Sequence, residues 1–185
     1  MNLAENLERI VTALDSKDIR YALIGGMAMA MRGIQRATLD LDFILLLNDL
    51  DETNRILEGH GYRRAFHSEN VSHYIGSSAD LGRIDILHAF RSASLGMLDR
   101  AERLPWPAGI CVPVAQTEDL IGLKLQACVN DPTRQPRDWS DILRMVTHAK
   151  EQSVHLDWNL LADYFSLFDL DSKFEELARL YGRTY

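Results

Sequence analysis

The spacing of apolar positions changes along the chain and predicts a mixed α/β protein. Residues 3–15 place leucine, isoleucine and valine at helical intervals, which indicates an amphipathic helix. Residues 19–24 form a short β-branched and aromatic run that predicts a strand, and Gly25-Gly26 ends it. Residues 39–47 are almost continuously apolar apart from two aspartates, as expected for a strand in the middle of a sheet.

The same pattern assigns the rest of the chain. The first part is predicted to contain helices over 27–32, 50–58 and 91–102, strands over 71–75, 82–87 and 110–114, and a loop at 105–109. The second part is predicted to contain helices over 117–130, 138–150, 158–168 and 172–181 only. We therefore predict an α/β core over 1–115, with a small mixed sheet and flanking helices, and a helical C-terminal subdomain over 116–185.

Composition and charge exclude several classes. A net charge of −7 argues against a broad basic face for non-specific nucleic acid binding, although a local basic cleft stays possible. The uncharged run 21–31 is too short to cross a membrane, and the acidic N-terminus does not resemble a signal peptide. We expect a cytoplasmic protein that does not contact a membrane, with Cys111 and Cys128 reduced and buried.

Asp40 and Asp42 interrupt the apolar strand at 39–47. Side chains alternate along a strand, so these two carboxylates point to the same side. Close carboxylates repel each other and are costly to desolvate, and a bound divalent cation relieves both costs. Oxygen ligands of this kind suit Mg²⁺. The alternative is a strand end at which both acids are simply solvated.

Gly25 and Gly26 stand between a strand and a helix. Without side chains, they let the backbone approach a ligand, and amides at the start of the helix suit a phosphate. A tight turn explains the pair equally well, since neither a P-loop nor a GxGxxG sequence is present. Asp85 is a third acid in an apolar strand, Arg83-Ile84-Asp85-Ile86-Leu87. Three acids beside a phosphate turn are what two-metal phosphoryl transfer requires.

These motifs resemble those of the nucleotidyltransferase superfamily with the polymerase-β-like fold. The resemblance is carried by Ile24-Gly25-Gly26, Asp40-Leu41-Asp42 and Asp85. Gly33, Arg36 and Thr38 add a likeness to AbiEii-type minimal nucleotidyltransferases, which are often toxins of toxin–antitoxin pairs. In the helical half, residues 118–125 and 137–141 are similar to the same group. The second glycine stands where many members have serine, so backbone donors would replace its hydroxyl.

The resemblance implies a role for each motif. Asp40 and Asp42 would hold two Mg²⁺ ions, and Asp85 would complete the catalytic metal site and help to activate the acceptor hydroxyl. Gly25 and Gly26 would bind the β- and γ-phosphates of an NTP. Lys124 would reach the phosphates, with Asp141, or less readily Asp138, facing it. Structural roles are the alternatives. Lys124 could bury its aliphatic stem and keep its ammonium group in solvent. Arg36 could pair with an acid instead of a phosphate, and Asp138 and Asp141 could simply be acids at the start of a helix.

The resulting functional hypothesis is a magnesium-dependent nucleotidyltransferase. It would move NMP from an NTP such as ATP to a hydroxyl on an RNA 3′ end, a protein or a small molecule, and as a toxin it would have an antitoxin protein as partner. The alternatives are a catalytically inactive nucleotide-binding module, an antibiotic-type small-molecule nucleotidyltransferase, and a glycosyltransferase, which also binds metal through Asp-x-Asp. Retention of all three acids favours catalysis.

Overall fold

The structure is a computed structural model, and it describes residues 2–181. It contains seven strands and eight α-helices within that range. The strands are β1 (Tyr21–Ile24), β2 (Asp40–Leu46), β3 (Tyr62–His67), β4 (Val71–Gly76), β5 (Arg83–Ala89), β6 (Glu102–Trp106) and β7 (Ile110–Val114). The helices are α1 (Leu3–Asp15), α2 (Gly25–Met31), α3 (Leu50–Gly59), α4 (Ser92–Arg100), α5 (Thr117–Asn130), α6 (Gln135–Glu151), α7 (Trp158–Leu167) and α8 (Asp171–Leu180).

The chain divides into two compact units. One comprises the chain up to Met31 together with Gln35–Gln116, and the other comprises Arg32–Ile34 together with the chain from Thr117. The division at Thr117 lies beside the predicted one at 115–116. The inclusion of Arg32–Ile34 in the helical unit was not predicted. Within that unit a Cβ on Gly33 would lie 3.0 Å from Nε2 of His148, so this short segment lies against α6.

The first unit is built on one mixed seven-stranded sheet in the order β3-β4-β5-β2-β1-β7-β6. The pairs β2–β5 and β1–β7 are parallel, and the other four pairs are antiparallel. The predicted mixed α/β fold is therefore confirmed, with two more strands than the sequence pattern indicated. No helix within residues 2–181 is long and apolar enough to cross a membrane.

The central strands β1 and β2 are buried on both faces, except at the two aspartates and at the end of β2. The face of β2 opposite the aspartates, called the core face, carries Leu41, Phe43 and Leu45, all at most 1% exposed, and Ile44 on the other face is buried as well. Tyr21 of β1 packs edge-on against Phe43 with ring centroids 5.9 Å apart. Helix α1 buries Leu7, Ile10, Val11 and Leu14 at the predicted helical spacing. Asp40 and Asp42 occupy the alternate positions of β2, so they belong to the opposite face.

Two strands escaped prediction, and one helix was predicted too long. β3 was missed because five of its six residues are exposed, so it has no apolar alternation. β6 occupies residues assigned to the end of a helix and a loop; α4 ends at Arg100, before it. Pro105 of β6 pairs with Cys111 of β7, and the sheet tolerates this proline because β6 is an edge strand. Cys111 and Cys128 are both free, but Cys111 is exposed rather than buried.

Candidate active site

Strand register brings the three predicted acids to one region of the sheet. Asp42 of β2 is the direct partner of Asp85 of β5, and Asp40 lies two residues earlier on the same strand. Directly paired residues of neighbouring strands share a face, with strands about 4.8 Å apart. All three are partly exposed. Although 42 residues separate Asp42 from Asp85 along the chain, the carboxylates of Asp40, Asp42 and Asp85 therefore lie on one face of the sheet, which we call the acid face.

Gly25 lies directly against the carboxylate of Asp42. Its φ of +67° lies in the left-handed region, and a Cβ added there would lie 2.6 Å from Asp42 Cγ and nearer still to Oδ2. Ile24 pairs with Asp42 across β1 and β2, which is why the turn after β1 reaches that side chain. Any residue other than glycine would displace the carboxylate. The glycine is thus required by contact with the acid and by backbone conformation together.

Gly26 packs against residues 36–38, the segment that leads into β2. A Cβ there would lie 2.7 Å from Cβ of Thr38 and 2.8 Å from Nη1 of Arg36. Thr38 Oγ1 donates a hydrogen bond to the backbone oxygen of Asp40 at 3.2 Å, which ties this segment to the first acid. The guanidinium of Arg36 therefore lies beside the glycine turn, where a phosphate-binding role would need it. α2 begins at Gly25, two residues earlier than predicted.

Asp85 has a partner that sequence reasoning missed. His73 of β4 pairs with Asp85 in register, and its Nδ1 donates a hydrogen bond to Asp85 Oδ1 at 2.7 Å. Nη2 of Arg83 lies 3.7 Å from the same oxygen, and the ring of Phe66 stacks on His73 at 5.3 Å. Only the register of β4 on β5 identifies His73 as the neighbour of Asp85, one of the three predicted acids.

The donor chemistry of the acid face fits magnesium. Three carboxylates on one face supply hard oxygen ligands of the kind that Mg²⁺ prefers. Within residues 2–181, however, no three His, Cys, Asp or Glu side chains converge as a ready-made metal site. Oδ1 of Asp85 already accepts a hydrogen bond from His73, so an ion shared with Asp42 would either compete with His73 for Oδ1 or be bound through Oδ2. The assignment of these acids as metal ligands stays a prediction.

A second charged cluster lies in the helical unit. Nζ of Lys124, on α5, lies 2.7 Å from Asp138 Oδ1 and 2.7 Å from Asp141 Oδ2, both on α6. Nε of Arg134 donates to Asp138 Oδ2 at 3.1 Å. Lys124 and both acids are at most 9% exposed. The sequence favoured one acid opposite the lysine, and the structure places two there. The proposed contact of Lys124 and Asp141 with a nucleotide stays a prediction.

A buried histidine and serine lie on the core face, away from the acids. Nδ1 of His88 donates to the backbone oxygen of Glu69 at 2.8 Å, so its Nε2 accepts from Ser72 Oγ at 3.0 Å. Ser72 Oγ also accepts from Nδ1 of His67 at 2.9 Å. Ser72 is fully buried and His88 is 4% exposed, so the serine hydroxyl is not available to a substrate. It stabilises the contact between β4 and β5.

Comparison with known proteins identifies the fold. No family model matches the chain, and no curated protein matches it. Among solved structures, the antibiotic-resistance factor ANT(2'')-Ia in complex with adenylyl-2''-tobramycin has a TM-score of 0.67 at 17% identity, over 91% of this chain and 99% of that chain. The lincomycin-bound lincosamide antibiotic adenylyltransferase LnuA has a TM-score of 0.58 at 16% identity, over 82% and 97%.

A third similar structure is an antigenic nucleotidyltransferase-like protein from Paracoccidioides brasiliensis. Its TM-score is 0.57 at 16% identity, over 97% of this chain and 93% of that chain. Sequence identities of 16–17% establish a shared fold and nothing finer. The AbiEii-type subgroup stays a prediction. The likenesses, together with the sheet described above, show that this chain has the fold of the nucleotidyltransferase superfamily.

Proposed function

We propose that this protein transfers a nucleoside monophosphate from an NTP to a hydroxyl acceptor. The observation that carries the proposal is the contact between Gly25 and the Asp42 carboxylate, beside the paired Asp85. A glycine turn suited to phosphate and an acid face suited to cations thus adjoin in one unit. These features are separate in the sequence, and the pairing of β1 with β2 and of β2 with β5 brings them close together.

In the proposed reaction the acceptor oxygen bonds to the α-phosphorus of the NTP. The bond from that phosphorus to the oxygen bridging the α- and β-phosphates breaks, and pyrophosphate leaves with its electron pair. Asp85 accepts the acceptor's proton, and Gly25, Gly26 and Arg36 hold the β- and γ-phosphates. Magnesium ions held by the three carboxylates would lower the pKa of the acceptor hydroxyl and neutralise the phosphates.

Finer parts of the proposal have narrower support. Magnesium dependence rests on the oxygen donor set of the acid face. ATP as donor, a toxin role and an antitoxin partner rest on the resemblance of the motifs alone, and the cytoplasmic location rests on the distribution of charged and apolar residues along the sequence. An antibiotic as acceptor is the second candidate, because ANT(2'')-Ia and LnuA were solved with adenylyl-2''-tobramycin and lincomycin.

The direct test uses each α-³²P-labelled NTP with Mg²⁺ and a cell extract. Label should move to an acceptor only with metal present. Asp42→Ala and Asp40→Ala should each lower the transfer rate by more than roughly 100-fold. Loss of a residue that only hydrogen-bonds a metal ligand already costs about 10–100-fold in activity, and loss of the ligand itself should cost more. Asp51→Ala is the matched control, since Asp51 is an exposed acid on α3. Turnover like that of Asp51→Ala in either variant would refute the mechanism.

A further inference from the structure

The acid face continues sideways into a surface that neither the motifs nor the comparisons assign. Cross-strand pairing arranges it in two rows. One row runs Arg63, Ile75, Arg83 and Asp40 across β3, β4, β5 and β2. The other row runs Phe66, His73, Asp85 and Asp42 across the same four strands. Because direct partners share a face, the first two or three members of each row adjoin the acids on one side of the sheet.

Side chains that a soluble sheet would usually cover are exposed on this surface. Phe66 is 50% exposed and Ile75 is 43% exposed. The Arg83 side chain is 52% exposed, and Arg63 is also exposed. We call Arg63, Phe66, Ile75 and Arg83 the ledge. It places two guanidinium groups and two apolar side chains together, although the whole chain carries a net charge of −7.

The order of strands places the ledge on the acceptor side of the acids. The glycine turn follows β1, which lies on one side of β2, whereas β5, β4 and β3 lie on the other. If the proposed function holds, the NTP phosphates lie at the turn, and the acceptor must approach from the side of Asp85. His73 connects the two regions, because it bonds Asp85 and carries the stacked ring of Phe66.

The chemistry of the ledge selects one class of acceptor. We infer that it binds the 3′ end of a single-stranded nucleic acid and directs the terminal hydroxyl toward Asp85. The exposed face of Phe66 suits a stacked base, and Arg63 and Arg83 suit the phosphates on either side of it. A polycationic acceptor would instead meet two like charges beside an acid face. The inference rests on the proposed function for the side from which the acceptor approaches, whereas the binding test below does not depend on that function.

Binding is measured without NTP, by fluorescence anisotropy of a 5′-labelled single-stranded RNA of eight nucleotides. Wild-type affinity should fall with KCl. In the double variant Arg63→Gln/Arg83→Gln, the slope of log affinity on log salt should be smaller by roughly 0.7 for each arginine that contacts a phosphate. Arg55→Gln is the control, because Arg55 lies on α3 with a side chain that is 69% exposed, and it should leave the slope unchanged.

The aromatic contact has its own variant. Phe66→Ala should weaken RNA binding roughly tenfold, whereas Leu167→Ala, which truncates a side chain that is 62% exposed on α7, should not. Thermal unfolding should be unchanged in all four variants, since each altered side chain is exposed. Absence of saturable RNA binding by the wild type, or equal losses in ledge and control variants, would overturn the inference.

Transfer assays separate the failure of this inference from that of the proposed function. RNA with a free 3′ hydroxyl should accept labelled NMP, and the same RNA ending in a 3′-deoxynucleotide should not. Transfer to tobramycin but not to RNA would overturn the inference and leave the proposed function standing. Ledge-dependent RNA binding without transfer to any acceptor would support the ledge and count against the proposed function.

Discussion

Replacing Gly25 by alanine tests the link between the glycine turn and the acid face. Gly25 has a φ of +67°, and its missing Cβ would lie 2.6 Å from Asp42 Cγ and 2.8 Å from Asp42 Cβ. The chain offers a matched control in Gly109, which has a φ of +77° but nothing within 4 Å of the added atom. The two variants therefore share the backbone strain, and only Gly25→Ala pushes on a carboxylate.

The expected magnitudes follow from that difference. A left-handed alanine costs about 1–2 kcal/mol of stability, so both variants should lose that amount. Gly25→Ala should lose a further ~1–3 kcal/mol, the usual cost of forcing an extra methyl group into a packed site. Because Asp42 must move to make room, its carboxylate is displaced, and a displacement near 1 Å at a catalytic group costs about 100-fold in rate.

Two assays on both variants give the answer. Urea unfolding measures the free energy of unfolding, and transfer of labelled NMP to the acceptor measures the rate. Gly109→Ala should transfer at the wild-type rate despite its lower stability, which removes destabilisation as the explanation for any loss in Gly25→Ala. The reasoning is wrong if Gly25→Ala transfers NMP as fast as Gly109→Ala does.

Two further predictions concern buried charges. Lys124→Met should lower the free energy of unfolding by about 3–5 kcal/mol, because two buried carboxylates lose the ammonium that lies 2.7 Å from each; a negligible change in urea unfolding would contradict the pairing. Burial lowers the pKa of His88 below its ordinary 6.5, against the smaller raising effect of its hydrogen bond to the backbone oxygen of Glu69. The native state then binds fewer protons than the unfolded state, so stability is complete above about pH 6.5 and falls as the pH drops through the native pKa. His88→Gln should flatten this dependence in unfolding measured between about pH 5 and 8, and parallel curves for the two proteins would exclude His88 as the cause.

The central part of the fold was predictable because its signals are local. The apolar run of β2, the glycine pair and the acid in β5 each stand out within about ten residues of sequence. Two acids three residues apart on α6 share one helix face, so Asp138 and Asp141 could both have been placed opposite Lys124 from their spacing. Sequence reasoning chose between them, although the geometry allowed both.

The missed features depend on pairing, which no local pattern reports. β3 carries no apolar alternation, because it is an edge strand with an exposed surface. His73 gains its meaning from its register with Asp85, and that register is set by the antiparallel pairing of β4 and β5. The ledge combines both omissions, since Phe66 and Arg63 lie on the missed strand. Sequence reasoning thus described the acids better than the surface beside them.

The place of β1 in the sheet has a consequence for how the chain is made. β1 is synthesised before the other six strands described here, and its parallel partner β7 follows roughly 90 residues later, which is several seconds of translation at about 5–20 residues per second. Until then one edge of β1 lacks a neighbouring strand, and open edges recruit other chains. Chaperone protection of the nascent protein would therefore matter most at this open edge of β1, next to the turn in which Gly25 contacts Asp42.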